Sequence, residues 1–294
     1  MTPLDYEFLR KLLKERSGLD LSPDKQYLVE SRLVPLARKA GLAGITELVQ
    51  KMRAGSAEAL TAEVVEAMTT NETFFFRDKT PFDHLKDTML PALLQARGAR
   101  RSLRIWCAAS STGQEPYSIA MCLKAMGAVT AGWKIDIVAT DLSQGVLEKS
   151  KAGIFSQFEV QRGLPIQMLV KHFTQVGDMW QLNADIRSMV QHRQLNLLQD
   201  FSYLGMFDVI FCRNVLIYFD QDTKAGIFDR FTKVIEPDGV LVLGAAESVV
   251  GISDAFAPYP ERRGLYRPNA TRVARAGATA MMPPGLRAVA SAAR

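Results

Sequence analysis

SLRIWCAASSTGQEPYSIAM, residues 102–121, changes character at its middle. The first half is a short apolar run of the kind that forms a strand buried on both faces. Gly113 then permits a tight turn, and from about Pro116 the apolar residues recur at helical spacing. WKIDIVATD (133–141), FDVIFCRN (207–214) and GVLVLGAAE (239–247) repeat the apolar run, about 30 to 70 residues apart, with helical segments starting near Gly145 and Gln221. RQLNL (193–197) reads as one more, shorter strand. Strands alternating with helices predict an open, doubly wound, Rossmann-like α/β sheet. The connection from 142 to 195 is too long for one helix. It contains a helical portion, LPIQMLVKHF, and a turn-rich stretch, TQVGDMWQLNADI, expected to form a small antiparallel β-subdomain at about 174–190.

Upstream, residues 4–70 read as helices separated by Gly or Gly-Ser breaks: LDYEFLRKLLKERSGL, YLVESRLVPLARKAG, ITELVQKMR and LTAEVVEAMTT. The expected division is therefore an all-helical domain over 1–70, a linker and connecting helix over 71–100, and the α/β domain over 101–267. Residues 268–294, rich in Ala, Gly, Pro and Arg, read as a disordered tail. That tail holds four arginines and no acid, so it carries +4 of the net charge of +5. The charge is thus no argument for nucleic-acid binding by the folded part. Cys107, Cys122 and Cys212 lie in apolar runs without metal-ligand spacing, and His84, His172 and His192 are scattered, so no metal centre is expected. The chain shows neither a membrane-spanning run nor a signal-peptide core, so membrane insertion is not expected and a cytoplasmic location is.

In a sheet of this kind, ligands bind beyond the carboxyl ends of the strands. Those ends carry ASSTGQEPYSIA (109–120) with Glu115, then Asp141, then Asn196 and Leu197, then Arg213 and Asn214. The glycine pattern is neither GxGxxG nor a phosphate loop, which argues against a dinucleotide and for a smaller nucleoside. Glu115 at a helix start disfavours a phosphate and suits an amine. Asp141 suits ribose hydroxyls, or alternatively caps the next helix. Adenosine, an amine and no phosphate point to S-adenosylmethionine. NETFFFRD, residues 71–78, adds three aromatic rings between polar groups just where the two domains meet.

NETFFFRD, IWCAASSTGQEPYSIAM, IVATD, LNLL and FDVIFCRNVLIYFD together resemble the chemotaxis receptor glutamate methyltransferases, the CheR type, in order over about residues 4–267. The resemblance implies S-adenosyl-L-methionine as methyl donor, with S-adenosyl-L-homocysteine as product. It implies methyl transfer to glutamate side chains on the cytoplasmic helical domains of chemoreceptors. It places Asn71, Thr73, Arg77, Glu115, Asp141, Asn196, Leu197, Arg213 and Asn214 around the cofactor and Tyr218 near the reacting methyl group, with Arg77 and Tyr218 orienting the acceptor. It implies that the NETFFFRD phenylalanines pack into both domains while Asn71, Thr73 and Arg77 reach the ligand. Gln114 stands where many relatives carry an acid. Some relatives also hold a receptor C-terminal tether peptide on the small subdomain; the short loop in TQVGDMWQLNADI points to a peptide-independent enzyme. The helix bearing Lys25, Arg32, Arg38 and Lys39 is the expected docking face for an acidic receptor helix, or else a solvated face. A nucleic-acid methyltransferase would show Asn/Asp-Pro-Pro-aromatic after the fourth strand, where this chain reads RNVLIYF. A cofactor-sensing scaffold would be expected to have lost Arg77, Tyr218 or the strand-tip acids.

Overall fold

The computed structural model describes residues 1–55 and 57–269; nearly all of the expected tail lies outside the described residues. Four helices, α1 (Pro3–Ser17), α2 (Gln26–Lys39), α3 (Ile45–Arg53) and α4 (Glu58–Met68), surround a core of their own. Thr2 and Asp5 form a reciprocal capping box at the start of α1. Gly18 ends that helix at φ +80, a left-handed conformation that glycine adopts without steric cost.

The second domain is built on a seven-stranded sheet in the order β6-β2-β1-β7-β8-β10-β9. Its strands are β1 (Ser102–Ala108), β2 (Lys134–Asp141), β6 (Val190–Gln194), β7 (Phe207–Cys212), β8 (Ile235–Leu243), β9 (Phe256–Pro258) and β10 (Leu265–Pro268). β1, β2, β6, β7 and β8 are parallel; β10 runs antiparallel to β8. Alternate residues of each parallel strand feed two different cores, as period-two side chains must. Ile105, Cys107, Ile137, Ala139, Val209 and Phe211 join the helices Thr80–Ala96 and Gln114–Ala125 on one face. Trp106, Ala108, Val138, Ile210 and Cys212 join the helix Gln221–Phe231 on the other. Trp106, fully buried, donates its indole N–H to Thr140 Oγ1 at 2.9 Å, so the ring contributes apolar burial without an unpaired donor. All three cysteines are buried, and burial raises the pKa of Cys122 to about 11.

A second sheet, ordered β3-β5-β4, is antiparallel: β3 (Ile154–Ser156), β4 (Phe173–Val176) and β5 (Met179–Leu182). The sequence reading placed this subdomain at about 174–190 and left out β3, which pairs with β5 from 25 residues upstream. The main-sheet strand expected at 193–197 instead starts at Val190 and stops at Gln194, leaving Asn196 and Leu197 in the loop beyond it.

The linker phenylalanines also differ from expectation. Phe75 is fully buried in the α/β domain, edge-on to Phe155 at 5.0 Å and to Phe173 at 5.7 Å. Phe76 meets Phe82 at 5.3 Å, and Phe74 lies against the guanidinium groups of Arg77 and Arg162. None of the three belongs to the helical-domain core. The linker is fastened to one domain and merely adjoins the other. Gly163 fixes its height: at φ +85, a Cβ here would stand 2.1 Å from the Phe75 carbonyl oxygen. Gly163→Ala should push the Phe75 segment outward and lower both thermal stability and cofactor affinity, measured by calorimetry. Unchanged values for both would show that the linker has slack there.

Candidate active site

In the strand order, β2 and β6 lie on one side of β1, and β7 and β8 on the other. The loops leaving β1 and β7 therefore diverge and open a crevice between them. The linker and the end of α1 roof this crevice into a cleft with about 1020 Å³ of space, including its open mouth. All ten residues singled out from the sequence line it: Asn71, Thr73 and Arg77 from the linker, Glu115, Asp141, Asn196, Leu197, Arg213, Asn214 and Tyr218. Gly113 does not. Its φ of +95 serves packing, since a Cβ there would lie 2.1 Å from Ser150 Oγ.

Two carboxylates face this cleft, Asp141 buried and Glu115 with 12% of its side chain exposed. Asp141 closes β2 and accepts N–H bonds from Ser111 at 2.8 Å and Ser143 at 3.0 Å. The side-chain cap of the following helix is Ser143, not Asp141, which leaves the remaining lone pairs of Asp141 for a ligand. Burial raises its pKa, and the N–H bonds offset part of that rise. Glu115, in the first turn of Gln114–Ala125, accepts from Arg213 Nη1 at 2.6 Å. Burial pushes its pKa up as well, and the arginine charge opposes the shift.

Arg213 is more heavily committed than its strand-tip position suggested. Its side chain is 1% exposed. Besides Glu115, it donates from Nη2 to Asp78 Oδ2 at 2.7 Å and to the Arg77 carbonyl at 2.9 Å. Arg213 thus pins the linker to the helix that carries Glu115. Asn196 is likewise partly engaged, donating its amide to the Arg16 carbonyl of α1 at 2.6 Å. Tyr218 is half-buried, and its carbonyl accepts from the Asp20 N–H at 2.9 Å. Arg77 donates to the Glu72 carbonyl at 2.9 Å, which curls the linker around its own guanidinium.

Backbone strain gathers around the cleft. Phe76, Asp78 and Lys79 in the linker, Ala109 and Ser111 after β1, and Asn214 after β7 all have positive φ without being glycine. Such residues cost about 1–3 kcal/mol each and persist where their surroundings hold them. The holding groups are visible. Phe76 N–H donates to Ser118 Oγ at 2.9 Å, Ser111 N–H to Asp141, and Asn214 N–H to Glu247 Oε2 at 2.8 Å.

Sequence reading missed several of these residues. Glu247 is buried and accepts four backbone N–H bonds, from Asn214, Val215, Leu216 and Gly244. Ser111 Oγ donates to the Asn71 carbonyl at 2.7 Å, tying the linker to the loop after β1. Glu66 of α4 accepts from Ser143 Oγ and from Gly145 N–H at 3.0 Å, so the helical domain caps the helix that follows Asp141. Only the GAAES run after β8, a strand tip holding an acid, gave any sequence signal, and it gave no partner. Arg32, expected from the sequence on a docking face or a solvated face, turns inward instead. It donates to the carbonyls of Met68 and Thr69 at 2.7 and 2.8 Å, closing the C-terminus of α4 where the linker begins.

Two domain models of one family account for nearly all of the described chain: the CheR methyltransferase all-alpha domain over residues 4–69 and the CheR methyltransferase SAM binding domain over residues 71–265. The chain belongs to the CheR methyltransferases. This CheR chain is 43% identical to chemotaxis protein methyltransferase 1 of Pseudomonas aeruginosa, over 86% of its own length and 93% of the relative's. It is 41% identical to chemotaxis protein methyltransferase Cher2 of Pseudomonas putida, with the same two coverages. It is 34% identical to the chemotaxis protein methyltransferase of Borreliella burgdorferi, over 83% and 87%. It is an S-adenosylmethionine-dependent methyltransferase of the CheR type, and its reaction is methylation in chemotaxis.

The cleft fits that cofactor. Its acids suit an amine and hydroxyls, and its apolar lining (Leu142, Leu197, Val215) suits a flat base. Ser110 Oγ and Arg213 Nε are buried without protein partners, and both residues line the cleft. Buried polar atoms are rarely left unpaired, so these two mark places for a polar ligand.

Proposed function

We propose that this protein esterifies glutamate side chains of chemoreceptors, acting in the cytoplasm on their helical signalling domains and yielding glutamyl methyl esters. The observation that carries this reading is the placement of Arg77 and Tyr218 on the same cleft as the carboxylates of Glu115 and Asp141. In this reading Glu115 takes the cofactor amine, Asp141 the ribose hydroxyls, Asn196 and Leu197 flank the adenine, and Asn71, Thr73, Arg213 and Asn214 complete the pocket. When bound, S-adenosylmethionine supplies a methyl group activated by a sulfonium cation, and S-adenosylhomocysteine is the product.

A glutamate acceptor has an unperturbed pKa of about 4.3 and is already a carboxylate at neutral pH. It needs no general base, only alignment and the exclusion of water. Arg77 and Tyr218 orient the incoming carboxylate by hydrogen bonds. A loose hold serves better than a tight one, because strong ground-state binding of the nucleophile slows its attack.

Arg77→Ala should lower methyl transfer by about 100-fold or more, as loss of a charge-assisted orienting bond does, while the melting temperature moves little. Equal loss of fold and activity would make Arg77 a structural residue. The reaction itself is tested with labelled S-adenosylmethionine and membranes carrying chemoreceptors. Label should enter receptor protein as an alkali-labile ester that releases methanol. Cofactor binding without ester formation would overturn the reading.

The docking face of α2 is narrower than its charge count implies. With Arg32 turned inward, exposed Arg38, Lys39 and Tyr27 remain on the face, with half-buried Lys25 just ahead of α2. We assign the acidic receptor helix to this reduced face. In the small sheet, β4 and β5 are joined by a two-residue hairpin, Gly177-Asp178, which supports a peptide-independent enzyme.

A further inference from the structure

The small antiparallel sheet shares no strand with the main sheet, yet it holds the linker that carries Arg77. Phe75 of the linker packs against Phe155 of β3 and Phe173 of β4. The chain leaves β3 through a capping box, Ser156 with Glu159, into the short helix Gln157–Gln161. Arg162 ends that helix between Val160 and Leu164, both buried, and just ahead of Gly163, which seats against the Phe75 carbonyl. The backbone at Arg162 is therefore fixed from both sides.

From this position the Arg162 side chain reaches two linker residues. It donates from Nη2 to Glu72 Oε1 at 2.6 Å, and its guanidinium lies 4.6 Å from the centre of the Phe74 ring. The same two residues hold the guanidinium of Arg77. Arg77 Nη1 donates to the Glu72 carbonyl at 2.9 Å, and its guanidinium lies 5.5 Å from the Phe74 centre. Both cations thus lean on one aromatic ring, and the Glu72 carboxylate offsets the charge of Arg162. The linker backbone is fastened by other groups: Ser111 at Asn71, Ser118 at Phe76 and Arg213 at Arg77. Arg162 acts on the direction of a side chain rather than on the course of the chain. With 39% of the Arg162 side chain and 61% of the Glu72 side chain exposed, their ion pair contributes little to folding.

We propose that Arg162 is a positioning residue for methyl transfer, holding Glu72 and Phe74 so that Arg77 stays aimed at the acceptor carboxylate. The inference rests on the reading of Arg77 as a group that orients the acceptor. It adds the small subdomain to the machinery of the reaction. Without Arg162, Glu72 and Phe74 lose their outer support and the Arg77 guanidinium is free to swing. A misplacement of about 1 Å in a reacting geometry can slow a reaction by on the order of 100-fold.

The test uses the full-length protein, labelled S-adenosylmethionine and chemoreceptor-bearing membranes, with rate followed against receptor concentration. Arg162→Ala should lower kcat by about tenfold and leave the receptor KM and the calorimetric affinity for S-adenosylmethionine within about threefold. Its melting temperature should stay at the parent's value. Arg162→Lys keeps a cation beside Phe74 and Glu72 and should restore most of the rate. In an Arg77→Ala background, Arg162→Ala should slow transfer by no more than about twofold further, because the residue it serves is gone. A kcat for Arg162→Ala within about twofold of the parent overturns the inference. So does an undiminished loss in the Arg77→Ala background, which would have Arg162 act apart from Arg77. A matching fall in melting temperature or cofactor affinity assigns Arg162 to the fold or the pocket and overturns it too. An Arg77→Ala variant with the parent's rate overturns the acceptor role of Arg77, and this inference with it. A parent enzyme that esterifies no receptor overturns the receptor reading itself before any variant is made, and this inference falls with that reading.

Discussion

Asp141→Asn should raise the dissociation constant for S-adenosylmethionine by about 30- to 1,000-fold while leaving the protein folded. Both oxygens of Asp141 accept buried N–H bonds, from Ser111 and Ser143. An asparagine keeps one of these acceptors and turns an amide NH2, a donor, toward the other N–H. A buried donor left unpaired costs about 1–3 kcal/mol, and the ribose loses a charged acceptor as well. About 1.4 kcal/mol corresponds to a tenfold change in affinity, which gives the range stated. Titration calorimetry with S-adenosylmethionine and S-adenosylhomocysteine measures it. An affinity within threefold of the parent, where about 0.7 kcal/mol separates the two, would make Asp141 only a brace for the loop after β1. The same site predicts a pH effect. Burial raises the Asp141 pKa, so its charged form is lost earlier on acidification than that of a free aspartate. Cofactor affinity should therefore hold at neutral pH and begin to fall, as pH is lowered, above the ordinary carboxylate value of about 3.9.

Glu247→Leu should be the most damaging single change to the active loop. Four backbone N–H groups, at Asn214, Val215, Leu216 and Gly244, lose one acceptor in a buried setting. Leaving several such donors unpaired costs about 3–5 kcal/mol, which for a chain of this size lowers the melting temperature by roughly 10 °C. The segment released bears Arg213, Asn214 and Tyr218, so methyl transfer should be abolished even at temperatures where the rest stays folded. Glu247→Gln keeps the shape and one oxygen, and should fall between the two in both respects. Scanning calorimetry and single-turnover rates measure the pair. A leucine variant with parental stability and rate would show that water can replace the carboxylate.

Much of this molecule is legible in its sequence, for physical reasons. Apolar runs at SLRIWCAA, DIVATD and FDVIFC had to be central strands, because nothing else buries both faces of so short a segment. The strand-tip candidates, Glu115, Asp141, Asn196, Leu197, Arg213 and Asn214, could be collected from the sequence because parallel strands bring their carboxyl ends together, whereas Asn71, Thr73, Arg77 and Tyr218 rested on the family resemblance. What escaped were contacts between distant parts of the chain. β3 is three residues long and finds its partner 25 residues downstream, too short a pattern to register. β6 lies at the sheet edge, where QHRQ is as polar as a loop, so its bounds slipped. Arg32 looked like a surface charge because helical periodicity places it on a face but cannot say that the end of α4 is waiting for it. Glu247 serves backbone groups more than 30 residues away, which carry no side-chain signature. The three phenylalanines defied periodicity because Phe76 has positive φ and turns the chain within the run.

The attachment of the helical domain carries one more consequence. Asn196 holds the end of α1, Tyr218 holds Asp20, Lys14 pairs with Asp220 at 2.7 Å, and Glu66 grips the turn beyond Asp141. Every one of these ties ends on the cofactor cleft or next to it. The two domains are therefore one thermodynamic unit, and linkage works in both directions. A macromolecule that shifts the helical domain on arrival changes the affinity for the small ligand by some factor. The small ligand must then change the grip on that macromolecule by the same factor. If the factor favours joint occupancy, a spent nucleoside and a modified protein loosen each other, and turnover includes its own release step.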